Sequence, residues 1–401
     1  MPRTSLPADA LAAATARLEY FTPRWPEGRQ PVHTCYVPAD RVHPDVVTEW
    51  GAQALAALEG HVPSPEGLTE LLDLEPALAA DVHAGVRAKL AAEPVEDLRI
   101  DFEDGYGSRP DAEEDADAER TALLVRAWLD AGVAPGRFGV RIKSFDTPEL
   151  VRRGVRTLDV FLTALGGPPP GFVITFPKVT SRRQVEVFGD VLDLFGVPLR
   201  FEVQVETTRS VVDASGLLAL PGYLEAGRGR VSGLHFGTYD YTAGCGLGAA
   251  HQHLAHSACD FARHVMQLAA AGRGVELSDG STNVLPVGDA VREGWRTHYR
   301  LVRRSLAHGF HQGWDLHPAQ LVTRYAAVHA YHREGLATSA ARLRAYAERV
   351  AGAVLDEPAT AQALSETFVR ALDCGALTPE EVNAVTGLGV PELRNLARRG
   401  R

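Results

Sequence analysis

The feature that most constrains the fold of this 401-residue chain is an alternation of short apolar segments with helix-like segments between residues 32 and 325. Most of the apolar segments are rich in β-branched and aromatic residues, which is typical of strands buried on both faces of a parallel sheet. We predict eight strands, at 32–37, 98–102, 138–142, 172–176, 199–205, 231–236, a weaker 274–277, and 313–316.

The segments between the strands carry helix start signals. Asp111 and Glu114 have the spacing of a capping box for a helix that runs to about residue 131, where Gly132 can end it. Further start signals are Pro148 at a first helical position, Thr180-Ser181, and Thr207 or Thr208. Eight strand-then-helix repeats predict an α/β fold, a (β/α)8 TIM barrel with a C-terminal helical extension. A doubly wound sheet is the alternative, but no G-x-G-x-x-G motif follows an early strand.

Two segments lie outside the predicted barrel. The predicted organisation is an N-terminal extension at 1–31 with a helix-like stretch at 8–19, a barrel catalytic domain at 32–334, and a helical tail at 335–401. In the tail we predict helices at 338–355 and 360–372, a third opened by Thr378 and a last one opened by Pro391. We interpret the tail as a helical cap or oligomerisation arm, so a homo-oligomer is expected. A helix-turn-helix DNA reader is the alternative, against which the acidic charge of the chain argues.

Composition and charge narrow the class of protein. The formal net charge is −10 and no long Lys/Arg block is present, so nucleic acid and anionic membranes are poor candidates as partners. No apolar run approaches the roughly 18–20 residues of a membrane span, and the first residues lack the apolar core of a signal peptide. The four cysteines show no C-x-x-C spacing. We therefore expect a cytoplasmic protein.

Two acidic residues, Glu206 and Asp240, follow the ends of successive predicted strands. Carboxylates at such positions point into the mouth of a barrel, where two of them can share a hard divalent cation such as Mg²⁺. Such an ion can hold a 2-oxo acid or thioester enolate by its oxygens and stabilise the charge that develops there. The alternative is that both carboxylates only cap the helices that follow.

Other charged residues stand at neighbouring strand ends. Asp101, Glu103 and Asp104 follow the second strand, and three acids at one place repel each other unless a cation offsets them. Arg141 closes the third strand and can grip a carboxylate with two hydrogen bonds. Lys178 follows the fourth strand, and its side chain has two alternative roles there, a contact with the substrate or a simple ion pair. Solvated acids in a helix-entry turn are the alternative for the acidic group.

Taken in order, these motifs resemble those of the HpcH/HpaI aldolase and citrate lyase beta subunit superfamily, which includes malyl-CoA lyase and citramalyl-CoA lyase. The resemblance runs from about residue 32 to 325 and comprises D-x-E-D-G at 101–105, V-R-I at 140–142, F-P-K-V at 176–179, V-E-T at 205–207, G-L-x-F-G-x-x-D at 233–240 and D-L-H-P-x-Q at 315–320. It implies that Glu206 and Asp240 bind Mg²⁺, with Mn²⁺ as an alternative, and that Arg141 binds the substrate carboxylate or enolate oxygen. It also implies that Glu103 and Asp104 contact the waters of the metal.

The remaining site predictions concern the substrate. Gly237 and Thr238, in the same motif as Asp240, are predicted to contact it, as is His251 in the Gly-rich loop that follows, which we interpret as a lid. His251 or His253 is a candidate acid–base group. The family's R-V-N motif is changed here to Arg-Ile-Lys143, and no basic residue precedes the Val37-Pro38 pair. The missing basic residue favours a small free acid over a CoA thioester as the substrate, although Arg24, Arg29 or Arg109 could supply positive charge for the CoA phosphates.

Further along, His253, His256, Asp260 and His264 are spaced to line one face of a helix. The row has two alternative interpretations, a second site for a transition metal or an ordinary polar face of the helix. His317, at the end of the eighth strand, has either a packing role or a role at the mouth.

The function we predict is a metal-dependent carbon–carbon lyase or aldolase acting on a small 2-oxo (hydroxy) acid through a metal-bound enolate, with Glu103, Asp104, Arg141 and Lys178 as catalytic residues. A CoA-thioester lyase or thioesterase is one alternative. A non-catalytic barrel that binds an organic acid and regulates a partner is the other, and the complete Glu/Asp/Arg set favours an enzyme.

Overall fold

The computed structural model describes residues 7–16, 22–26, 28–348 and 357–398. Eight parallel strands form one sheet in the order β7-β6-β5-β4-β3-β2-β1-β8. The strands are β1 His33–Pro38, β2 Asp97–Asp101, β3 Arg137–Arg141, β4 Phe172–Phe176, β5 Phe201–Val205, β6 Val231–Phe236, β7 Glu276–Ser278 and β8 Gly313–Asp315. A parallel bridge between Ser278 and Gln312 joins the two ends of the sheet. The protein is a (β/α)8 barrel, as predicted.

Helices follow the strands and continue into the C-terminal segment. They are α1 Ala8–Thr15, α2 Val46–His61, α3 Pro65–Leu72, α4 Pro76–Ala92, α5 Asp111–Ala131, α6 Pro148–Leu165, α7 Arg182–Asp193, α8 Thr208–Val211, α9 Ala219–Ala226, α10 Thr238–Gly244, α11 Ser257–Ala270, α12 Val291–Ala307, α13 Gln320–Arg333, α14 Leu336–Ala347, α15 Pro358–Asp373, α16 Pro379–Thr386 and α17 Val390–Arg398. The final residues of the helices predicted at 8–19 and 338–355 lie outside the described residues. None of the described helices is long and apolar enough to cross a membrane.

Most of the predicted helix starts are confirmed by their caps. The hydroxyls of Thr147, Ser181 and Thr207 each accept a hydrogen bond from a backbone N–H three residues later. The capping box predicted at Asp111 is wrong, because Pro110 is the N-cap and Asp111 already belongs to the helix. The Asp111 carboxylate instead accepts a hydrogen bond of 2.8 Å from Arg152 on α6.

The main apolar core lies between the strands and the surrounding helices, where Phe176, Phe188 and Phe201 pack ring against ring. Inside the barrel the filling is partly ionic. The fully buried Arg99 donates to Asp97 at 2.8 Å and to Glu202 at 3.0 Å. Such a group is tolerated because its charges are paired, since an uncompensated buried charge is strongly destabilising.

The tail packs on the end of the barrel where the strands begin. Leu343, Phe368 and Leu393 from three tail helices are buried in the same apolar cluster as the barrel core. Arg370 on α15 donates to the side chain of Gln30, just ahead of β1. The helix predicted to open at Thr378 does so, and Thr378 forms a capping box with Glu381. The tail therefore lies away from the strand ends that carry the predicted site.

Candidate active site

The fold brings six predicted site residues together at the carboxyl ends of strands β2 to β6. These residues are Glu103, Asp104, Arg141, Lys178, Glu206 and Asp240. In (β/α)8 enzymes the active site lies at this end of the barrel, because the loops that follow the strands converge there. The charged strand ends of the sequence thus form one polar mouth rather than separate helix caps.

The ammonium group of Lys178 lies among the carboxylates of this mouth. Its Nζ is 2.8 Å from Glu103 Oε1, 2.8 Å from Asp104 Oδ2 and 3.5 Å from Asp240 Oδ2. The backbone of Lys178 is left-handed, with φ of 50°, an uncommon conformation for a residue with a side chain. Although burial opposes it, the negative charge of Glu206 and Glu103 raises the pKa of Lys178, so the ammonium stays charged.

Glu206 is the most deeply placed carboxyl of the group, with 2% of its surface exposed. Its Oε1 accepts a hydrogen bond of 2.7 Å from the backbone N–H of Lys178, and its Oε2 accepts one from the Gln204 amide. Burial raises the pKa of Glu206 to about 8, and the nearby Glu103 and Asp240 add to this effect against Lys178 and Arg141. Glu206 therefore retains its proton at neutral pH unless more positive charge reaches the mouth.

Gly237 allows Glu206 to take this position. A Cβ atom at residue 237 would lie 2.4 Å from Glu206 Cβ and 2.7 Å from its Oε2, closer than non-bonded atoms approach. Thr238 follows it and is buried, and its hydroxyl has no hydrogen-bond partner within the described residues. Asp240 lies in the first turn of α10 with 49% of its side chain exposed.

Arg141 is held rigidly at the end of β3. Its Nε and Nη2 donate to the two oxygens of Asp101, both at 2.6 Å, and its guanidinium lies over the ring of Tyr36, 4.9 Å from the centroid. The remaining nitrogen, Nη1, is 3.6 Å from Glu103 and 3.4 Å from Gln204. Asp101 also accepts hydrogen bonds from the backbone of Glu103 and Gly105, so it organises the acidic turn.

Two residues below Arg141 were not identified from the sequence. Tyr36 on β1 and Trp314 on β8 are buried with their ring centroids 4.6 Å apart. Neither the Tyr36 hydroxyl nor the Trp314 indole N–H has a hydrogen-bond partner in the described part of the chain. They are candidates for contact with substrate or water, and their inward-facing positions on strands were the only signal available from sequence.

Lys143, two residues after Arg141, is held away from the mouth. It is buried, donates to the carbonyl of Gly107 and lies 3.8 Å from Glu114 on α5. Its role is to hold the loop that follows β2. His251 is exposed at the end of a 3-10 turn, and no described side-chain hydrogen bond or ion pair joins it to the carboxylates.

The predicted row of histidines does not form one helix face. His253 precedes α11 in a loop, and His256 is the N-cap, whose Nδ1 accepts a hydrogen bond of 3.1 Å from Ala258. Asp260 pairs instead with Arg263 and Arg304. The helix begins at residue 257, so the sequence spacing did not apply to the first two members.

His317 lies half-buried just after β8, at the end of the barrel that carries the mouth. Its Nδ1 accepts a hydrogen bond of 3.2 Å from the backbone N–H of Ala319, and burial lowers its pKa.

The mouth was also tested as a metal site. Across the described residues, no three or more His, Cys, Asp or Glu side chains are arranged around a metal position. The predicted ion requires only two protein carboxylates and water. The donor set is chemically suitable, because four carboxyl groups offer hard oxygen ligands and outnumber the positive charges beside them. Glu206 and Asp240 would hold the ion, with Glu103 and Asp104 beside them.

Comparison with known proteins gives the family. The chain belongs to the family described as "Domain of unknown function (DUF6986)", whose model matches residues 11–400. No curated protein sequence matches the chain.

Several solved structures are similar in fold. Malate synthase of Haloferax volcanii in its magnesium and glyoxylate complex is 19% identical with a TM-score of 0.48, over 91% of this chain and 97% of that one. RipC of Yersinia pestis is 17% identical with a TM-score of 0.45, over 74% of this chain and 93% of that one. An HpcH/HpaI aldolase/citrate lyase family protein of Burkholderia cenocepacia J2315 is 18% identical with a TM-score of 0.36, over 61% of this chain and 86% of that one.

Proposed function

We propose that this protein is a Mg²⁺-dependent carbon–carbon lyase or aldolase that acts on a small 2-oxo (hydroxy) acid. The observation that carries the proposal is the charge pattern at the mouth of the barrel. Three carboxylates, those of Glu103, Asp104 and Asp240, surround one ammonium group there, the pKa of Glu206 beside them is raised to about 8, and the nearby arginine is already paired with Asp101. The order of sequence motifs that resembles the citrate lyase beta superfamily supports the same reading.

The excess of negative charge explains why the mouth would take a divalent cation. Lys178 neutralises one of the carboxylates of Glu103, Asp104, Glu206 and Asp240, and burial, to which the charges of Glu103 and Asp240 add, raises the pKa of Glu206. When bound, Mg²⁺ would act as a Lewis acid that stabilises negative charge developing on the oxygens of a 2-oxo acid. Two carboxylates leave coordination positions open for such a ligand.

The side chains of the chain itself would then bind and orient the substrate. Arg141 presents Nη1 toward the mouth while Asp101 and Tyr36 fix its other atoms, so it can grip a carboxylate without reordering. Burial raises the pKa of Glu103, with Asp104 adding to this effect, which makes Glu103 suited to carry a proton. In cleavage, the 4-hydroxyl loses a proton, the C3–C4 bond breaks to release an aldehyde, and C3 takes up a proton.

The positions of the arginines favour a free acid over a CoA thioester. Arg24 and Arg29 lie at the end of the barrel where strands begin, with Arg24 bridged to Arg273 and Arg29 paired with Glu93 and Glu96. Arg109 is on the side of the mouth, but it pairs with Asp40 at 2.8 Å and Glu113 at 2.6 Å. The phosphates of CoA need cationic partners, and these three arginines offer none that is both near the mouth and unpaired.

Turnover of a panel of 2-oxo-4-hydroxy acids with and without Mg²⁺ tests the proposal. We expect aldehyde and 2-oxo acid to be released only with the metal, and Glu206→Gln to abolish both turnover and Mg²⁺ binding. Glu186→Gln, an exposed acid on α7 that pairs only with arginines, is the matched control.

Two results would contradict parts of the proposal. Undiminished metal binding and turnover in Glu206→Gln would refute the metal assignment. Calorimetry with CoA, acetyl-CoA, pyruvate and oxaloacetate separates the substrate classes, since micromolar binding of acetyl-CoA that is lost in Glu206→Gln, without a response to either oxo acid, would favour the thioester alternative. Tight binding of an oxo acid without turnover of any panel member would favour the regulatory alternative.

A further inference from the structure

A second cavity lies at the opposite end of the barrel from the carboxylate mouth. It has a volume of about 590 Å³ and is lined at the beginnings of β5, β6 and β7 by Arg200, Val231 and Arg273, and by Arg24 and Trp25 from the N-terminal segment. Arg200 directly precedes β5, and Arg273 stands three residues before β7. Because these are the N-terminal ends of the strands, the cavity is separated from the mouth by the packed barrel interior.

Among the described residues, the three arginines of this cavity have no acidic partner. Within the described residues, the side chains of Arg24, Arg200 and Arg273 take part in no ion pair or hydrogen bond, although the whole chain has 51 acidic and 41 basic residues. Glu225 is the one acidic residue among the described lining residues, and it lies 3.5 Å from Arg182 outside the cavity. The cavity therefore concentrates positive charge in a chain whose net charge is negative.

The fold itself brings the three guanidinium groups to one place. Arg24 forms a parallel bridge with Arg273, and its backbone N–H donates to the carbonyl of Gly272 at 2.6 Å. This contact fixes the N-terminal segment beneath the sheet. Arg200 comes from the loop between α7 and β5. Like-charged groups gathered from three distant segments repel each other, and an anion bound among them would offset that repulsion.

We propose that this cavity binds an organic molecule that carries a pyrophosphate unit. Guanidinium groups bind phosphate oxygens through paired hydrogen bonds, and three of them match the charge of a diphosphate better than that of a single carboxylate. The indole of Trp25 lines the same cavity and offers an aromatic surface for the organic part of the ligand. The site is separate from the carboxylate mouth and does not depend on the reaction proposed for it.

Titration calorimetry on the full chain in EDTA, with inorganic pyrophosphate and with ADP, tests the proposal without metal at the mouth. We expect both to bind, ADP more tightly, with affinity falling as salt rises. Arg200→Ala/Arg273→Ala should weaken both by about tenfold to hundredfold, the range for losing hydrogen bonds between charged groups. Trp25→Phe or Trp25→Ala should reduce the preference for ADP and leave pyrophosphate affinity unchanged, and the quenching of Trp25 fluorescence gives a second readout.

Arg183→Ala is the matched control, since Arg183 is an exposed arginine of α7 that pairs within its own helix and does not line the cavity. If the double variant does not fold, Arg24→Ala is measured instead, because the side chain of Arg24 is exposed and its loss does not disturb the core. Equal pyrophosphate affinity in the cavity variant and the control, or no binding to the wild type below about 10 mM, would overturn the proposal. Equal binding of ADP and pyrophosphate would overturn the role given to Trp25.

Discussion

Substitution of Gly237 by alanine should disable the mouth while leaving the barrel folded. The backbone at Gly237 has φ of −104° and ψ of 97°, which alanine also adopts, so the change introduces no backbone strain. The new Cβ would lie 2.4 Å from Glu206 Cβ, whereas carbon atoms in contact are about 3.5–4.0 Å apart. One of the two groups must therefore move by about 1 Å or more.

The displacement falls on Glu206, because Gly237 continues the ladder of β6 through its N–H bond to the carbonyl of Val205. Overpacking of this kind costs about 1–3 kcal/mol of stability, and a misplacement of about 1 Å at a catalytic group costs about 10²-fold in rate. We expect Mg²⁺ affinity and kcat/KM to fall together, with a Tm decrease of only a few degrees.

Gly60→Ala is the control, because nothing lies within 4 Å of its Cβ position and it lies in α2, whose helical backbone alanine also adopts. Calorimetry with Mg²⁺, turnover and thermal unfolding are measured on both variants. Unchanged metal affinity and turnover in Gly237→Ala would show that the position of Glu206 does not matter to the site.

Four further predictions follow from contacts in the structure. Arg141→Lys loses the two-point contact with Asp101, and kcat/KM should fall about 10²-fold or more; a change below a few-fold would place Arg141 outside the site. Lys178→Met removes the ammonium from among the carboxylates, so Tm in EDTA should fall and the gain in Tm on adding Mg²⁺ should grow; an unchanged gain would contradict this. Burial lowers the pKa of His329 to about 3 and of His332 to about 4, so both side chains are neutral in the folded protein. The unfolded chain binds more protons below about pH 6.5, so the free energy of unfolding should fall there by about 1.4 kcal/mol per group for each pH unit. Denaturant unfolding at pH 7.5 and 5.5 checks this, and His329→Asn should show a smaller loss. A chain truncated after residue 334 should change in oligomeric state or solubility but keep Mg²⁺ binding if it folds, and a folded truncation without Mg²⁺ binding would refute the separation of tail and site.

The sequence predicted features that depend on neighbours along the chain. The strands 172–176 and 231–236 were predicted to the residue, and the other six lie within two residues of the observed bounds. The capping box at Thr378 formed because its two members need only each other. The box at Asp111 failed because the helix already begins with Asp111, after Pro110 as the N-cap, and the Asp111 carboxylate pairs with Arg152, 41 residues away. The sequence thus identified this helix but not the residue that caps it.

In the candidate site, too, the sequence predicted the positions of the residues but not their long-range contacts. The spacing of strands placed Glu206 and Asp240 at one end of the barrel, since parallel strands share their direction. The partners of Arg141 could not be predicted, because Asp101 and Tyr36 reach it from other strands and their roles are set by side-chain geometry. The cavity lined by Arg24, Arg200 and Arg273 could not be predicted either, because these residues are spread over about 250 positions of the sequence and meet only in the folded chain.

The position of Lys178 connects the stability of the fold with the proposed chemistry. Four carboxylates within reach of one another would repel strongly in a partly buried mouth, and two devices reduce that repulsion: the Lys178 ammonium and the proton held by Glu206. A divalent cation bound there as proposed would supply the positive charge that the ammonium and the proton supply in this structure. The left-handed backbone at Lys178 allows its N–H to bind Glu206 while its ammonium binds Glu103 and Asp104. A barrel that had to fold before meeting its metal would need an arrangement of this kind, whereas a purely structural ion pair would not need so many acids.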